Sequence, residues 1–154
     1  MTELVVDANV LAHSGNPANR YFDSALEIII GLVESDDLLA LDDTGKDAPN
    51  AATSNLYREY VESISPVSLA ASVLATLLSG ERVNFYPRPG RQTWTKCKQL
   101  VPRNNNDAIV IGIGACTGDN IVISNDFADF PVRVRSQTKK TLGVTILCSD
   151  EFAA

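Results

Sequence analysis

The chain has 154 residues, of which 45% are hydrophobic and 21% are charged, and its formal net charge at pH 7 is -6. This length and composition are typical of one globular domain, residues 1–154, that buries about two thirds of the surface its unfolded chain exposes. No apolar stretch approaches the roughly 20 residues that cross a membrane, and the N-terminus lacks the features of a secretory signal, so we expect a cytoplasmic protein without a membrane partner.

Hydrophobic periodicity predicts a β-α-β unit at the start of the chain. Leu4–Val6 and Leu38–Leu41 are short apolar runs of strand type, and residues 21–33 between them repeat apolar side chains at helical spacing. Asn55–Ile64 is predicted as the next helix, which carries Glu59 on its inner face.

Turn and capping residues delimit the rest of the chain. The predicted segments are a helix from Ser65-Pro66 to Gly80, a break at Pro87–Gly90, a short helix at Trp94–Leu100, a helix at Asp107–Ala115 with Asn106 as N-cap and Gly118 after its end, and strands at Ile121–Ser124 and Val144–Leu147. Strands that alternate with helices predict an α/β fold, in which helices cover both faces of a parallel sheet. Ligands of such sheets bind outside the carboxyl ends of the strands.

The cysteines and the histidine exclude several kinds of site. Cys97, Cys116 and Cys148 are odd in number and lack C-x-x-C spacing, so they suit neither a disulfide framework nor a zinc site. His13 is the only histidine, which removes most histidine-based mechanisms, and we interpret it as a loop or helix-start residue and not as a catalytic base. No Gly-rich phosphate loop is present, and Asn9 stands where an aspartyl-phosphate mechanism requires a second aspartate.

Four acidic residues are placed to meet in one cleft. Asp7 and Asp126 follow strand-like runs, Asp107 lies in the first turn of a predicted helix, and Glu59 lies on another. Two carboxylates about 5 Å apart repel by roughly 3 kcal/mol at an effective dielectric near 20, so such a cluster requires cations. Oxygen ligands select Mg²⁺ or Mn²⁺, and a pair of these ions can activate a water for phosphodiester hydrolysis. The cluster therefore predicts phosphoryl chemistry.

Each acid also has a simpler interpretation. Asp7 is suited to cap the turn after its strand, Asp126 to cap the segment FADF, and Asp107 to complement a helix dipole. Glutamates on amphipathic helices are usually solvated, and Glu62, three residues after Glu59, is a rival for its role. We interpret the neighbouring Asp42 and Asp43 as a turn pair.

The order of five motifs resembles the PIN-domain nucleases. The motifs are LVVDANV, LALDD followed by LYREY, VPRNNNDAIVIGIGA, NIVISNDFADF and GVTILCSDEF. The resemblance implies a three-layer α/β/α fold with a central parallel sheet of roughly five strands. It carries the family's acids onto Asp7, Glu59, Asp107 and Asp126, with Asp129 as an auxiliary metal ligand. Residues 45–54 look like an insertion relative to the family.

The same resemblance implies an Mg²⁺- or Mn²⁺-dependent endoribonuclease, with RNA favoured over DNA as substrate. It also implies two protein partners, an antitoxin for which the chain would be the toxin and a second copy in a homodimer. A DNA or flap nuclease with the same metal chemistry and a degenerate scaffold that binds RNA or protein without cleavage remain as alternatives. Asn9 and Ser124 are expected to hold a metal water or orient a carboxylate.

Basic residues are concentrated in the second part of the chain. Residues 1–63 hold 12 acids and 3 bases, whereas residues 64–154 hold 7 acids and 10 bases. Six of these basic residues lie within one short span that also contains three aromatic residues. The basic residues are Arg82, Arg88, Arg91, Lys96, Lys98 and Arg103, and the aromatic residues are Phe85, Tyr86 and Trp94. Basic side chains neutralise phosphates and aromatic rings stack on unpaired nucleobases, so Arg88, Arg91, Lys96 and Arg103 are predicted to bind nucleic acid. The alternative is a solvated face with its aromatic residues in the core.

Overall fold

Five strands form one sheet in which every neighbouring pair is parallel. The strands are β1 (Glu3–Val6), β2 (Leu38–Asp42), β3 (Val83–Tyr86), β4 (Ile121–Ile123) and β5 (Thr145–Leu147). Their order is β3-β2-β1-β4-β5. This arrangement, seen in a computed structural model that describes residues 1–43 and 51–154, confirms the predicted α/β class and is compatible with PIN-like folds.

Helices cover both faces of the sheet. They are α1 (Ala8–His13), α2 (Phe22–Glu34), α3 (Asn55–Ser63), α4 (Leu69–Ser79), α5 (Arg91–Leu100), α6 (Asn105–Cys116), α7 (Val132–Leu142) and α8 (Ser149–Ala153), with a 3₁₀ turn at Ala51–Thr53. Connections between parallel strands are right-handed. The chain moves from β1 toward β3 and then returns to β4 and β5, so α1, α2 and α4 lie on one face and α5, α6 and α7 on the other.

The sequence did not predict β3, α1, α7 or α8. The strand β3 is an edge strand with half-buried side chains, and α7 buries only Val134, Arg135 and Thr138, so neither shows a clear apolar pattern. The helix α1 is only 6 residues long, which is too short for helical periodicity. Residues 45–50 of the expected insertion lie outside the described part of the chain.

Three predicted helix starts were wrong, and one of them is that of α5, which begins at Arg91 and not at Trp94. The helix α6 begins at Asn105 because Asn104, not Asn106, is its N-cap and accepts from the N–H groups of Asn106 and Asp107. The helix α4 begins at Leu69 because the Ser68 hydroxyl accepts from a backbone N–H in its first turn. A side chain that reaches forward to the free N–H groups of a helix fixes where that helix begins.

The core is continuous through the sheet and α6. All four residues of β1 are buried, and so are eight consecutive residues of α6 from Asp107 to Gly114. A Cβ atom at Gly114 would lie 2.7 Å from Cγ2 of Val122 in β4, so glycine lets the helix approach the sheet closely. In the described ranges, no helix combines the length and the apolar character that a membrane crossing requires.

Candidate carboxylate site

The carboxyl edge of the sheet carries two of the predicted acids at its centre. Asp7 directly follows β1, and Asp126 follows its neighbour β4 after two residues. The chain winds away from β1 in one direction first and then in the other, so β1 and β4 flank the point where the strand order reverses. Ligands of open α/β sheets bind in the crevice at that point.

The carboxylate of Asp7 is buried and held by three donors. Its Oδ1 accepts from the N–H of Ala8 over 2.9 Å, and its Oδ2 accepts from the Ser124 hydroxyl over 2.8 Å and from the Asn9 amide over 3.0 Å. Burial raises the pKa of Asp7 and the Asp126 charge adds to it, while the hydrogen bonds act in the opposite direction. Asp7 therefore caps α1, as its simpler interpretation had it, and also lines the crevice.

Asn9 and Ser124 connect the turns after β1 and β4. Besides holding Asp7, the Asn9 amide donates to the Ser124 hydroxyl over 3.3 Å, and its Oδ1 accepts from the N–H of Asn125 over 2.9 Å. The Ser124 hydroxyl also accepts from the N–H of Asp126 over 3.2 Å. These bonds fix the orientation of the carboxylate, which is the arrangement that the sequence predicted for Asn9 and Ser124.

Asp107 faces the same crevice from the first turn of α6. Its side chain is buried, and its pKa is raised to about 8 by burial first and then by the charges of Asp129, Asp7 and Asp126. Repulsion that is strong enough to shift a pKa acts between charges that lie within about 10 Å of each other. The predicted acids of β1, α6 and the loop after β4 have therefore been brought together.

Asp126 and Asp129 lie on one tight turn. The Oδ1 of Asp126 accepts from the N–H groups of Ala128 and Asp129, each over 2.9 Å, so the capping role considered for Asp126 is present. Burial first and then the contact with Asp126 raise the pKa of Asp129, whereas its contact with Asp107 acts in the opposite direction. Asp107 has a pKa of about 8, so the cluster retains a proton at neutral pH in the absence of cations.

The start of α3 is held by Asp42, whose role the sequence misassigned. Asp42 is the last residue of β2 and is not half of a turn pair. Its Oδ1 accepts from the Ser54 hydroxyl over 2.9 Å and from the N–H of Leu56 over 2.8 Å, and its Oδ2 accepts from the N–H of Asn55 over 2.8 Å. A buried carboxylate at the carboxyl end of β2 thus anchors the amino end of α3.

This anchor and a buried tyrosine orient Glu59. The Tyr60 hydroxyl donates to the carbonyl of Val6, which holds α3 against the end of β1. Glu59 is half-buried, and its pKa is raised to about 7 by burial first and then by the charges of Asp7, Asp42 and Glu62. Glu62 is exposed. Of the two rivals, Glu59 is therefore the acid that faces Asp7.

The chemistry of these donors fits a hard divalent cation. Carboxylate oxygens come from five side chains: Asp7, Glu59, Asp107, Asp126 and Asp129. No Lys or Arg in the described ranges forms an ion pair with any of them. Burial and mutual repulsion therefore disfavour the charged form of these acids. However, no three Asp, Glu, His or Cys side chains among the described residues already have the arrangement that holds a metal ion. A cation would have to displace the proton on Asp107 and draw the carboxylates inward.

The predicted basic segment is divided between two edges of the sheet. Arg88, Arg91, Lys96 and Arg103 are exposed and lie just before α5, on α5 and in the turn between α5 and α6. Arg82 does not belong with them, because its guanidinium donates to the carbonyls of Leu32 and Asp37 at the opposite edge.

The aromatic residues of this segment pack against the core, as the alternative interpretation held. The Tyr86 hydroxyl donates to Oε2 of Glu3 over 2.6 Å, and Phe85 is half-buried against the core. Trp94 is half-buried near Gly112, and the Arg88 guanidinium lies 4.4 Å from the centre of its ring. Arg88 on Trp94 is therefore the aromatic contact that remains accessible on this face.

Arg135 is a structural residue that sequence reasoning missed. Its side chain is buried beneath the turn that carries Asp126 and Asp129, where Nε donates to the carbonyl of Phe130 over 2.6 Å and Nη2 to that of Asp126 over 3.2 Å. The guanidinium also lies 3.8 Å from the centre of the Phe127 ring. An arginine on a polar helix gives no signal of burial, so the sequence could not have indicated this contact.

Comparison with known proteins adds no relative, because no protein-family model and no curated protein matches the chain. The resemblance to PIN domains therefore stands on the five motifs and on a sheet topology that is compatible with PIN-like folds.

Proposed function

We propose that the chain is a metal-dependent nuclease of PIN type that hydrolyses phosphodiester bonds, with single-stranded RNA as its preferred substrate. The observation that carries this proposal is the convergence of Asp7, Glu59, Asp107, Asp126 and Asp129 at one end of the sheet, where burial and the neighbouring charges raise the pKa values of Asp7, Glu59, Asp107 and Asp129. A structural network would pair such acids with Lys or Arg. Acids that form no ion pair with a Lys or Arg among the described residues are typical of a cation site.

The acids divide by position into two roles. Asp7, Asp107, Asp126 and Asp129 would hold Mg²⁺ or Mn²⁺, since all four lie within one another's electrostatic range. The ion would supply positive charge for the phosphodiester oxygens and lower the pKa of an attacking water. Glu59 stands beside Asp7 on α3 and has a pKa of about 7, so its carboxylate is suited to accept a proton from that water near neutral pH.

The basic residues around α5 would neutralise the phosphates of the substrate. Arg88, Arg91, Lys96 and Arg103 are exposed on and around α5, the helix that precedes α6 and packs against it. A single strand lying along them would deliver its backbone to the carboxylates. The net charge of -6 does not oppose this path, because the acids are concentrated in the first 63 residues.

A second candidate is a scaffold that binds RNA or a protein without cleaving it. The observation in its favour is that the acids in the described residues do not already form a metal-binding arrangement. The antitoxin and homodimer expectations stay predictions, as does the choice between RNA, DNA and flap substrates.

A cleavage assay separates these candidates. Labelled single-stranded RNA, single-stranded DNA and a DNA flap are incubated with the protein in Mn²⁺ and, as a control, in EDTA. The proposal expects Mn²⁺-dependent cleavage with RNA cut fastest. Faster cleavage of the flap would assign the site to DNA, and binding without cleavage of any substrate would favour the scaffold.

A further inference from the structure

On the other side of the carboxylate site from α5, three side chains form a stack that the proposed mechanism does not use. The rings of His13 and Tyr21 stack with centroids 5.7 Å apart and an angle of 17° between their planes, and the Arg20 guanidinium lies 4.7 Å from the centre of the Tyr21 ring. His13 ends α1 and Tyr21 precedes α2, so the stack lies on the face of the sheet opposite α5 and α6.

The hydrogen bonds around His13 define which ring nitrogen carries the proton. The Oδ1 of Asn125 accepts from the N–H of Ser149 over 2.7 Å, which turns the Asn125 amide nitrogen toward His13. That nitrogen lies 3.1 Å from Nδ1 of His13 and can only donate, so Nδ1 is the acceptor. The neutral imidazole therefore carries its hydrogen on Nε2.

The Nε2–H of His13 is thus a donor held beside the carboxylate site. In the part of the chain that the structure describes, Nε2 has no hydrogen-bond partner, and the ring is only half-buried. The Asp126 charge acts on the ring, which places His13 next to the turn that bears Asp126 and Asp129. A nitrogen that carries hydrogen cannot ligate a metal, so a donor role for Nε2 fits better than a ligand role.

Arg20 carries a positive charge that no ion pair in the described ranges neutralises. It is exposed and is one of only 3 basic residues among the first 63. Within the described ranges it forms no ion pair. A guanidinium that rests on an aromatic ring keeps its N–H edge available, and that edge matches the oxygens of a phosphate.

We propose that His13, Tyr21 and Arg20 form a phosphate-binding subsite for the backbone of a nucleic-acid strand. The subsite would lie next to the phosphodiester that is hydrolysed at the carboxylate site. Tyr21 supports the two donors, the neutral His13 supplies one hydrogen bond, and Arg20 supplies charge. The strand would cross the carboxyl edge of the sheet from α5 on one face to this stack on the other. The subsite rests on the proposed nuclease function, which it extends to a second substrate contact.

Binding of a fluorescently labelled single-stranded RNA in EDTA, measured by anisotropy over a range of salt concentrations, tests the subsite without cleavage. Arg20→Ala should weaken binding and reduce the slope of log K against log salt by about 0.7, the value for one phosphate contact on a single strand. His13→Ala should weaken binding about fivefold to tenfold with an unchanged slope, because a neutral donor releases no counterion.

Lys140→Ala is the matched control. Lys140 is exposed in the last turn of α7, at the opposite edge of the sheet, so its removal changes the net charge equally and should leave the slope unchanged. Arg20 is exposed too, so its variant keeps the test valid even if His13→Ala unfolds. Wild-type binding that both variants retain in full would overturn the subsite alone. A wild-type protein that binds neither RNA nor DNA would overturn the nuclease proposal and the subsite with it.

Discussion

The Ser124 hydroxyl donates a hydrogen bond of 2.8 Å to the Asp7 carboxylate and so joins the ends of the two central strands, β1 and β4. The two residues are 117 positions apart in the sequence. The bond holds the buried Asp7 carboxylate at the crevice where the strand order reverses. It lowers the pKa of Asp7, whereas burial raises that pKa.

Removal of this hydroxyl should cost stability. Ser124→Ala leaves the buried Asp7 carboxylate with one donor fewer, so the free energy of unfolding should fall by about 1–3 kcal/mol at neutral pH. Urea denaturation in EDTA measures the change. Ser136→Ala, at an exposed position of α7, is the control and should stay within about 0.5 kcal/mol of the wild type. Equal stability of both variants would mean that the bond does not hold Asp7.

Substitution of Asp107 should stabilise the metal-free protein in alkaline solution. Its pKa is about 8 when folded, against 3.8 for the free side chain, so the wild type loses stability as the pH rises from about 4 to 8. Asp107→Asn mimics the protonated form and avoids this loss. In EDTA its advantage over the wild type should grow with pH and reach on the order of 1–3 kcal/mol near pH 8. A stability difference that does not change with pH would show that Asp107 is not crowded by other acids.

The exposed basic residues of α5 and of the loop before it should contribute to RNA affinity. Simultaneous replacement of Arg88, Arg91 and Lys96 by alanine should weaken RNA binding and flatten its salt dependence by about 0.7 for each phosphate that is no longer neutralised. The melting temperature should change little, because these side chains are exposed. Unchanged affinity with an unchanged slope would place the strand elsewhere, for example along Arg133 at the start of α7.

Glu59 and Glu62 offer a matched pair on one helix. Glu59→Gln should lower cleavage by about 10²-fold or more if the carboxylate accepts a proton in the reaction. Glu62→Gln, one turn away and exposed, should leave the rate within about twofold because its side chain does not face Asp7. Cleavage rates in Mn²⁺ decide between them, and a larger loss for Glu62→Gln would reverse the assignment.

The sequence revealed the acids that follow from local rules. Asp7 and Asp126 were recognisable because each ends a short apolar run, and the carboxyl ends of parallel strands share one edge. Glu59 could be separated from Glu62 only when the orientation of α3 was known, and that orientation depends on Asp42 and on the Tyr60 hydroxyl. Such contacts join residues far apart in sequence.

Other parts of the structure left no trace in the sequence. The strand β3 is short and half-buried, so it lacks the apolar run that identified the central strands. Arg135 resembles any charged residue of a polar helix, although its guanidinium is buried beneath the Asp126 turn. Arg82 was grouped with the basic residues near it in sequence, but its side chain contacts the opposite edge of the sheet.

Asp7→Asn should separate a metal site from a structural cap. The amide oxygen can still accept from the N–H of Ala8, but its NH₂ group replaces the oxygen that accepts from Asn9 and Ser124, so the free energy of unfolding in EDTA should fall by about 1–3 kcal/mol and leave the protein folded. Cleavage in Mn²⁺ should nevertheless be nearly abolished, because one negative charge is removed from the cluster. Asp36→Asn, at an exposed position before β2, is the control and should cleave like the wild type. Activity that survives Asp7→Asn would leave Asp7 as a cap alone.

Calorimetric titration with Mn²⁺ near pH 7 tests the central claim that the five acids form a cation site. The wild type should bind Mn²⁺ and release protons, because the ion displaces the proton that Asp107 retains at this pH. The measured heat should therefore depend on the ionisation enthalpy of the buffer, and Asp107→Asn should bind more weakly with less proton release. No heat of binding at millimolar Mn²⁺ would contradict the metal site and leave the binding scaffold as the function of this fold.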